Sequence, residues 1–129
     1  MPADPHGAHA RLVAARRHLE SANRLATDDP DAAYAVLYDA ARKAVSAHML
    51  AAGLRARNAP GAHEATALYA VAVLRGEAPA ELDRMRRFRN RIEYGTTHLG
   101  PRQVAHDLER ARAIVAAVEA TFPATGPAS

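Results

Sequence analysis

Residues 28–53 read DDPDAAYAVLYDAARKAVSAHMLAAG. Asp29 followed by Pro30 is a helix-start signal. The carboxylate can accept from an unsatisfied backbone N–H, and proline lacks the N–H that a first turn leaves orphaned. From there Tyr34, Leu37, Ala41, Val45, His48 and Met49 recur at helical spacing and make one stripe. Gly53 ends the segment, being the residue that best takes the left-handed turn beyond a helix. A long helix with a narrow, small-residue stripe must pack on other helices, and the flanking sequence supplies them.

Upstream, a helix is expected from about Ala8 to Ala26, with Leu12, Ala15, Leu19, Ala22 and Ala26 on one face. Downstream, the loop LRARNAPGAH contains Pro60 and Gly61 and leads to a shorter helix over about Glu64 to Arg75. Pro79 opens a fourth helix to Tyr94, closed by Gly95. Pro101 opens a fifth through about Phe122, with Val104, Leu108, Ala111, Val115 and Val118 as its stripe. Runs of β-branched residues are missing, so the reading is all-α, an up-and-down bundle of about five helices. A single domain over residues 8–122 is expected, with disordered ends at 1–7 and 123–129. Leu37, Val45, Leu82, Phe88, Leu108 and Val115 are expected in its core. Hydrophobic residues make up 49% of the 129, but much of that is alanine and aromatics are only 5%, so the core must come from close helix packing.

The chain has no cysteine, which excludes disulfides and thiolate metal sites. The start MPADPHGAHA has no apolar targeting core, and the longest apolar run, ALYAVAVL, is too short to span a bilayer. A soluble cytoplasmic protein with no membrane partner is the expectation. No glycine-rich phosphate loop, nucleophile elbow or paired-carboxylate motif occurs. His18, His63 and His106 have no partner at metal-ligand spacing, His6 and His9 fall in the terminus, and His48 reads as a packed core residue. No metal or cofactor is expected.

Net charge is +3, and apart from Lys43 every basic residue is arginine. Arg84, Arg86, Arg87, Arg89 and Arg91 lie within eight residues at the head of the stretch RMRRFRNRIEYGTTHLGP. On a helical wheel Leu82, Met85, Phe88 and Ile92 make the core stripe, and Arg89 falls only about 45° from its centre. Arg86 lies at the margin, Arg84 and Arg91 flank, and Arg87 and Asn90 point away. An inward guanidinium requires a partner. Arg89 is therefore expected to snorkel to the rim, to pair with an acid such as Asp39, or to hold an anion such as phosphate.

The segments AAYAVLYDAARKAVSAHMLAAG and RFRNRIEYG together resemble the HEPN superfamily of α-helical bundles, over about Leu12 to Val118. In that family a late helix carries an arginine, usually a polar residue, and then a histidine four to six residues beyond. The resemblance implies a homodimer. It also implies, for active members, a metal-independent endoribonuclease of toxin or defence type, with an antitoxin-type protein partner, whose Arg and His from two protomers share a cleft. Two registers stand open: Arg89 and Asn90 with Tyr94 in the histidine position, or Arg91 with His98. The candidate catalytic set is thus Arg89, Asn90, Tyr94 and His98, with Arg84, Arg86, Arg87, Arg91 and Arg102 as nucleic-acid contacts. Tyrosine, with a pKa near 10, is a poor base at neutral pH. The expectation is accordingly a HEPN-like domain that binds or acts on RNA or nucleotides and is catalytically degenerate. The alternatives are an active ribonuclease and a structural protein–protein interaction module.

Overall fold

The computed structural model describes residues 3–54, 61–95 and 99–122. They form five α-helices: α1 (Pro5–Leu25), α2 (Pro30–Ala51), α3 (Ala62–Val73), α4 (Glu81–Glu93) and α5 (Pro101–Glu119). A single 3₁₀ turn, Ala78–Ala80, introduces α4, and no strand occurs among the described residues. The fold is an all-α bundle.

The start of α2 is built as its sequence requires. The Asp29 carboxylate accepts from the Ala32 N–H at 3.2 Å, with Pro30 in the first turn. The same chemistry recurs at Asp4, which accepts from the Gly7 N–H at 2.9 Å, so α1 begins at Pro5 and not near Ala8. The Asp4 N–H also donates to the Leu50 carbonyl at 3.1 Å. Residues 3–7, expected outside the folded domain, therefore belong to it and tie the head of α1 to the tail of α2. The expected tail, 123–129, lies outside the described residues.

α2 is the central helix and packs most extensively on α1 and α5. In α1 the buried residues Ala8, Leu12, Ala15, Leu19 and Ala22 alternate four- and three-residue steps, and in α5 Val104, Leu108, Ala111, Val115 and Val118 do the same. α2 buries more than the stripe read from its sequence: Ala33, Ala40, Ala44 and Ala47 are enclosed as well. Methyl-sized side chains on α1 and α2 let the two backbones approach closely, which is how a chain poor in aromatics closes its core. Such a seam has no spare volume. Ala44→Leu is expected to destabilise by about 1–3 kcal/mol through overpacking, read as a lowered midpoint in thermal unfolding.

α1 and α2 run antiparallel across a four-residue connection, whereas α5 lies along α2 in the same direction. Tyr34 near the start of α2 meets Asp107 in α5, and His48, Ala51, Thr121 and Phe122 share a hollow at the other end. The shorter α3 and α4 occupy the crossover between them. Leu37, Val45, Leu82, Leu108 and Val115 are buried as expected, but Phe88 is only half-buried, its ring tilted on Tyr34 at 5.0 Å. No helix among the described residues is long and apolar enough to cross a membrane.

Candidate anion-binding site

α4 is amphipathic and sits with Leu82 and Met85 buried and Phe88 and Ile92 against the edge of the core. That register turns Arg89 towards α2, where its guanidinium carbon lies 5.6 Å from the centroid of the Tyr38 ring. A guanidinium over an aromatic face is held by the ring quadrupole as well as by packing. Arg89 Nη2 reaches Glu93 Oε1 at 3.0 Å, one turn on along the same helix. Its Nε is buried and has no hydrogen-bond partner among the described residues. The pairing expected with Asp39 does not occur. Asp39 instead holds Arg42 Nη2 at 2.6 Å and Lys43 Nζ at 3.5 Å, with His18 Nδ1 at 3.6 Å. Burial alone would push the Asp39 carboxyl up, but the Arg42 hydrogen bond and the neighbouring charges outweigh it and hold it below the usual carboxylate range.

Beneath Arg89, the Tyr38 hydroxyl is paired with His63 Nδ1 at 2.9 Å. Gly61, with φ of 84°, turns the chain into α3 and so places His63 in its first turn. Tyr38 is buried, and burial pushes its phenol up to about 12, opposed in part by the charges of Arg42, Arg89 and Arg86. The phenol therefore stays protonated at neutral pH. His63 is pushed below its ordinary value of 6.5, first by burial and then by Arg42, Arg89 and Arg86. A neutral imidazole with Nδ1 tied to a phenol has two states. If Tyr38 donates to Nδ1, Nε2–H faces outward as a donor; if Nδ1–H donates to Tyr38, Nε2 is a base.

Three guanidinium charges thus act on one neutral Tyr–His pair. Each has a carboxylate: Arg89 pairs with Glu93, Arg42 shares Asp39 with Lys43 and His18, and Arg86 (2.8 Å) shares Asp83 with Arg87 (3.2 Å). The Asp39 charge partly opposes the arginines at the pair. Among the described residues no group of three or more His, Asp or Glu side chains is placed to hold a metal ion.

Of the residues singled out from sequence, Arg89 packs on Tyr38 here, and the charge of Arg86 acts on the same pair. Arg84 leaves the arginine cluster for α5, giving Asp107 Oδ1 a bond of 2.6 Å while its Nε holds Glu81 at 2.6 Å. Asp107 is 0% exposed and also accepts from the Tyr34 hydroxyl (2.5 Å) and Gln103 Nε2 (2.8 Å). Burial favours the protonated acid, but these donors and the Arg84 charge keep its carboxyl below the usual range. Arg84, expected as a nucleic-acid contact, is thereby a structural tie between α4 and α5.

Tyr94 is 83% exposed at the end of α4. Asn90 is half-buried, and its carbonyl accepts the Tyr94 N–H at 3.1 Å. Arg91 stacks its guanidinium 5.3 Å from the Phe88 centroid, and Arg87 and Arg102 are exposed. His98 lies outside the described residues. Sequence reasoning passed over His63 and Tyr38, because only metal spacing was weighed for the histidine and only core packing for α2. No family model matches the chain, and no curated protein or solved structure matches it significantly.

Proposed function

We propose that the protein is a HEPN-like helical domain that binds RNA or nucleotides through phosphate, as a homodimer, at the cluster of Arg42, Arg86, Arg89, Tyr38 and His63. One observation carries this reading: Arg89 is turned inward over the Tyr38 ring, its Nε buried without a hydrogen-bond partner among the described residues, beside a Tyr–His pair that has no negative charge of its own. Planar guanidinium groups match phosphate oxygens bidentately, and the Arg89 side chain remains 29% exposed although its Nε is buried. With Tyr38 donating to Nδ1, the His63 Nε2–H supplies a further donor without adding charge. Assembly is supported by α3, where Leu68 (68% exposed) and Val71 (56% exposed) stand beside a hollow shared with Ala80 and Asp83 at the start of α4.

The depressed pKa of His63 favours a second reading, a metal-independent endoribonuclease. In the other tautomer Nε2 takes the 2′-hydroxyl proton, the 2′-oxygen attacks the adjacent phosphorus, and the bond to the 5′-oxygen breaks. That oxygen recovers a proton, leaving a 2′,3′-cyclic phosphate and a 5′-hydroxyl. The arginines would stabilise the charge that builds on phosphorus. Here the histidine comes from α3 and not from the turn after α4. Binding is the preferred reading, since one histidine would have to both accept and return the proton.

The test is fluorescence anisotropy with labelled single-stranded RNA over a range of salt, with light scattering on the same samples. The expected result is binding whose log K falls against log salt with a slope of about −2, near 0.7 for each of three arginines, and a mass twice the 13.8 kDa chain. RNA that fails to bind at low salt would overturn the reading, and a monomer mass would remove the dimer from it.

A further inference from the structure

Arg42 belongs to two settings. Its charge reaches the Tyr38–His63 pair, and its side chain also lines a groove of about 460 Å³ between α1 and α2. Ala10 and Ala14 form the α1 side of this groove and leave it open, while Arg11, Lys43 and Ser46 complete its lining. Arg11 donates to the Ser46 hydroxyl, which fixes its guanidinium at the groove wall. Arg42, Lys43 and Ser46 fall on one face of α2 at three- and four-residue spacing, and all of them, with Arg11, are half-buried. Asp39 sits one turn before this face and divides its charge among Arg42, Lys43 and His18. Three cations and a hydroxyl around an open groove, with that shared carboxylate at its edge, suit an oxyanion.

We propose that this groove is a second phosphate subsite, occupied by a neighbouring phosphate of the strand whose first phosphate is held at Arg89. The inference rests on the reading of the Arg89 cluster as a phosphate site and extends it from a single phosphate to a strand. Arg42 follows Tyr38 by one turn of α2 and also lines the groove, so it adjoins both positions. Among the described residues the lining has no aromatic ring on which a base could stack. It therefore recognises backbone charge and is indifferent to base identity. A free inorganic anion has the same chemistry, and length dependence separates the two sources.

The experiment measures binding of uridine 5′-monophosphate and of 5′-phosphorylated oligouridylates of two to six nucleotides to the full chain. It compares wild type, the double variant Arg11→Gln/Lys43→Gln, and Arg89→Gln. In wild type, affinity is expected to rise about tenfold or more from monophosphate to oligomer. In the double variant that rise collapses and the salt slope for the oligomer falls by about 1.4, two contacts at near 0.7 each, while monophosphate affinity, set mainly at Arg89, falls far less. Lys43 is the only lysine of the chain, so its acetylation rate, followed by mass spectrometry on wild type, reports occupancy even if the double variant unfolds. The oligomer should protect it, and millimolar inorganic phosphate should protect it far less. A length increment that survives in the double variant overturns the groove subsite, as does its absence from wild type or equal protection by inorganic phosphate. Failure of the Arg89 reading has a different signature, because Arg89→Gln would then bind monophosphate as tightly as wild type.

Discussion

Asp107→Ala is expected to destabilise the protein by about 3–5 kcal/mol, the range for removing one partner of a buried ion pair. The carboxylate is wholly enclosed and receives Tyr34, Gln103 and two nitrogens of Arg84. Its loss leaves a buried phenol without an acceptor and a guanidinium with only Glu81, and it separates α4 from α5. For a domain of this size the melting temperature should fall by roughly 10 °C or more. The same group sets a pH dependence. Its folded pKa lies below the unfolded value near 3.9, so its stabilisation is complete above that value and disappears as pH falls through the folded pKa. Wild type should lose stability below about pH 4, and Asp107→Asn should be flatter there. An Asp107→Ala melt within a few degrees of wild type would show that the network contributes little.

Arg89→Ala is expected to weaken single-stranded RNA binding by about tenfold to a hundredfold, the value of one or two hydrogen bonds to a charged group. The salt slope should become shallower by about 0.7. Because the side chain ends over Tyr38 and its ion pair is with exposed Glu93, the fold should survive. The cleavage reading adds a distinct expectation: His63→Ala should lose about 10²-fold or more in rate, and wild-type cleavage should persist in a chelator. RNA degraded equally well by wild type and His63→Ala would end the catalytic assignment to this histidine and leave the binding reading in place.

The three long helices were legible because local rules determine them. Asp29–Pro30 caps α2, and the four–three alternation in α1 and α5 is a property of residues one turn apart. Asp4–Pro5 carries the same start signal as Asp29–Pro30, but Gly7 in the following turn argues against a helix, and the early start of α1 was obscured. Its stabilisation comes from a distant partner, the Leu50 carbonyl. Asp107 sits one residue from Leu108 on the apolar face of α5, a position that demands a buried donor, yet nothing local names Arg84 and Tyr34 as the donors.

The inward turn of Arg89 followed from the wheel, since Leu82, Met85 and Phe88 fix the register of α4. What it meets there did not follow. Tyr38 and His63 are 25 positions apart on different helices, and their meeting is a product of how α3 crosses α2. The family motif directed attention forward along α4 to Tyr94, which is exposed. The histidine beside Arg89 comes from the preceding helix.

The central claim is that phosphate binds among Arg42, Arg86 and Arg89 against His63. NMR titration of the His63 ring tests it most directly, in the free protein and with saturating uridine 5′-monophosphate. In the free protein the ring should titrate below its ordinary 6.5, held down by burial and the three arginines. A bound phosphate offsets those charges and can accept from the imidazolium. The account therefore predicts a clear upward shift in the His63 titration and nucleotide affinity that increases as pH falls towards 5.5. A His63 titration that is the same with and without nucleotide would contradict it.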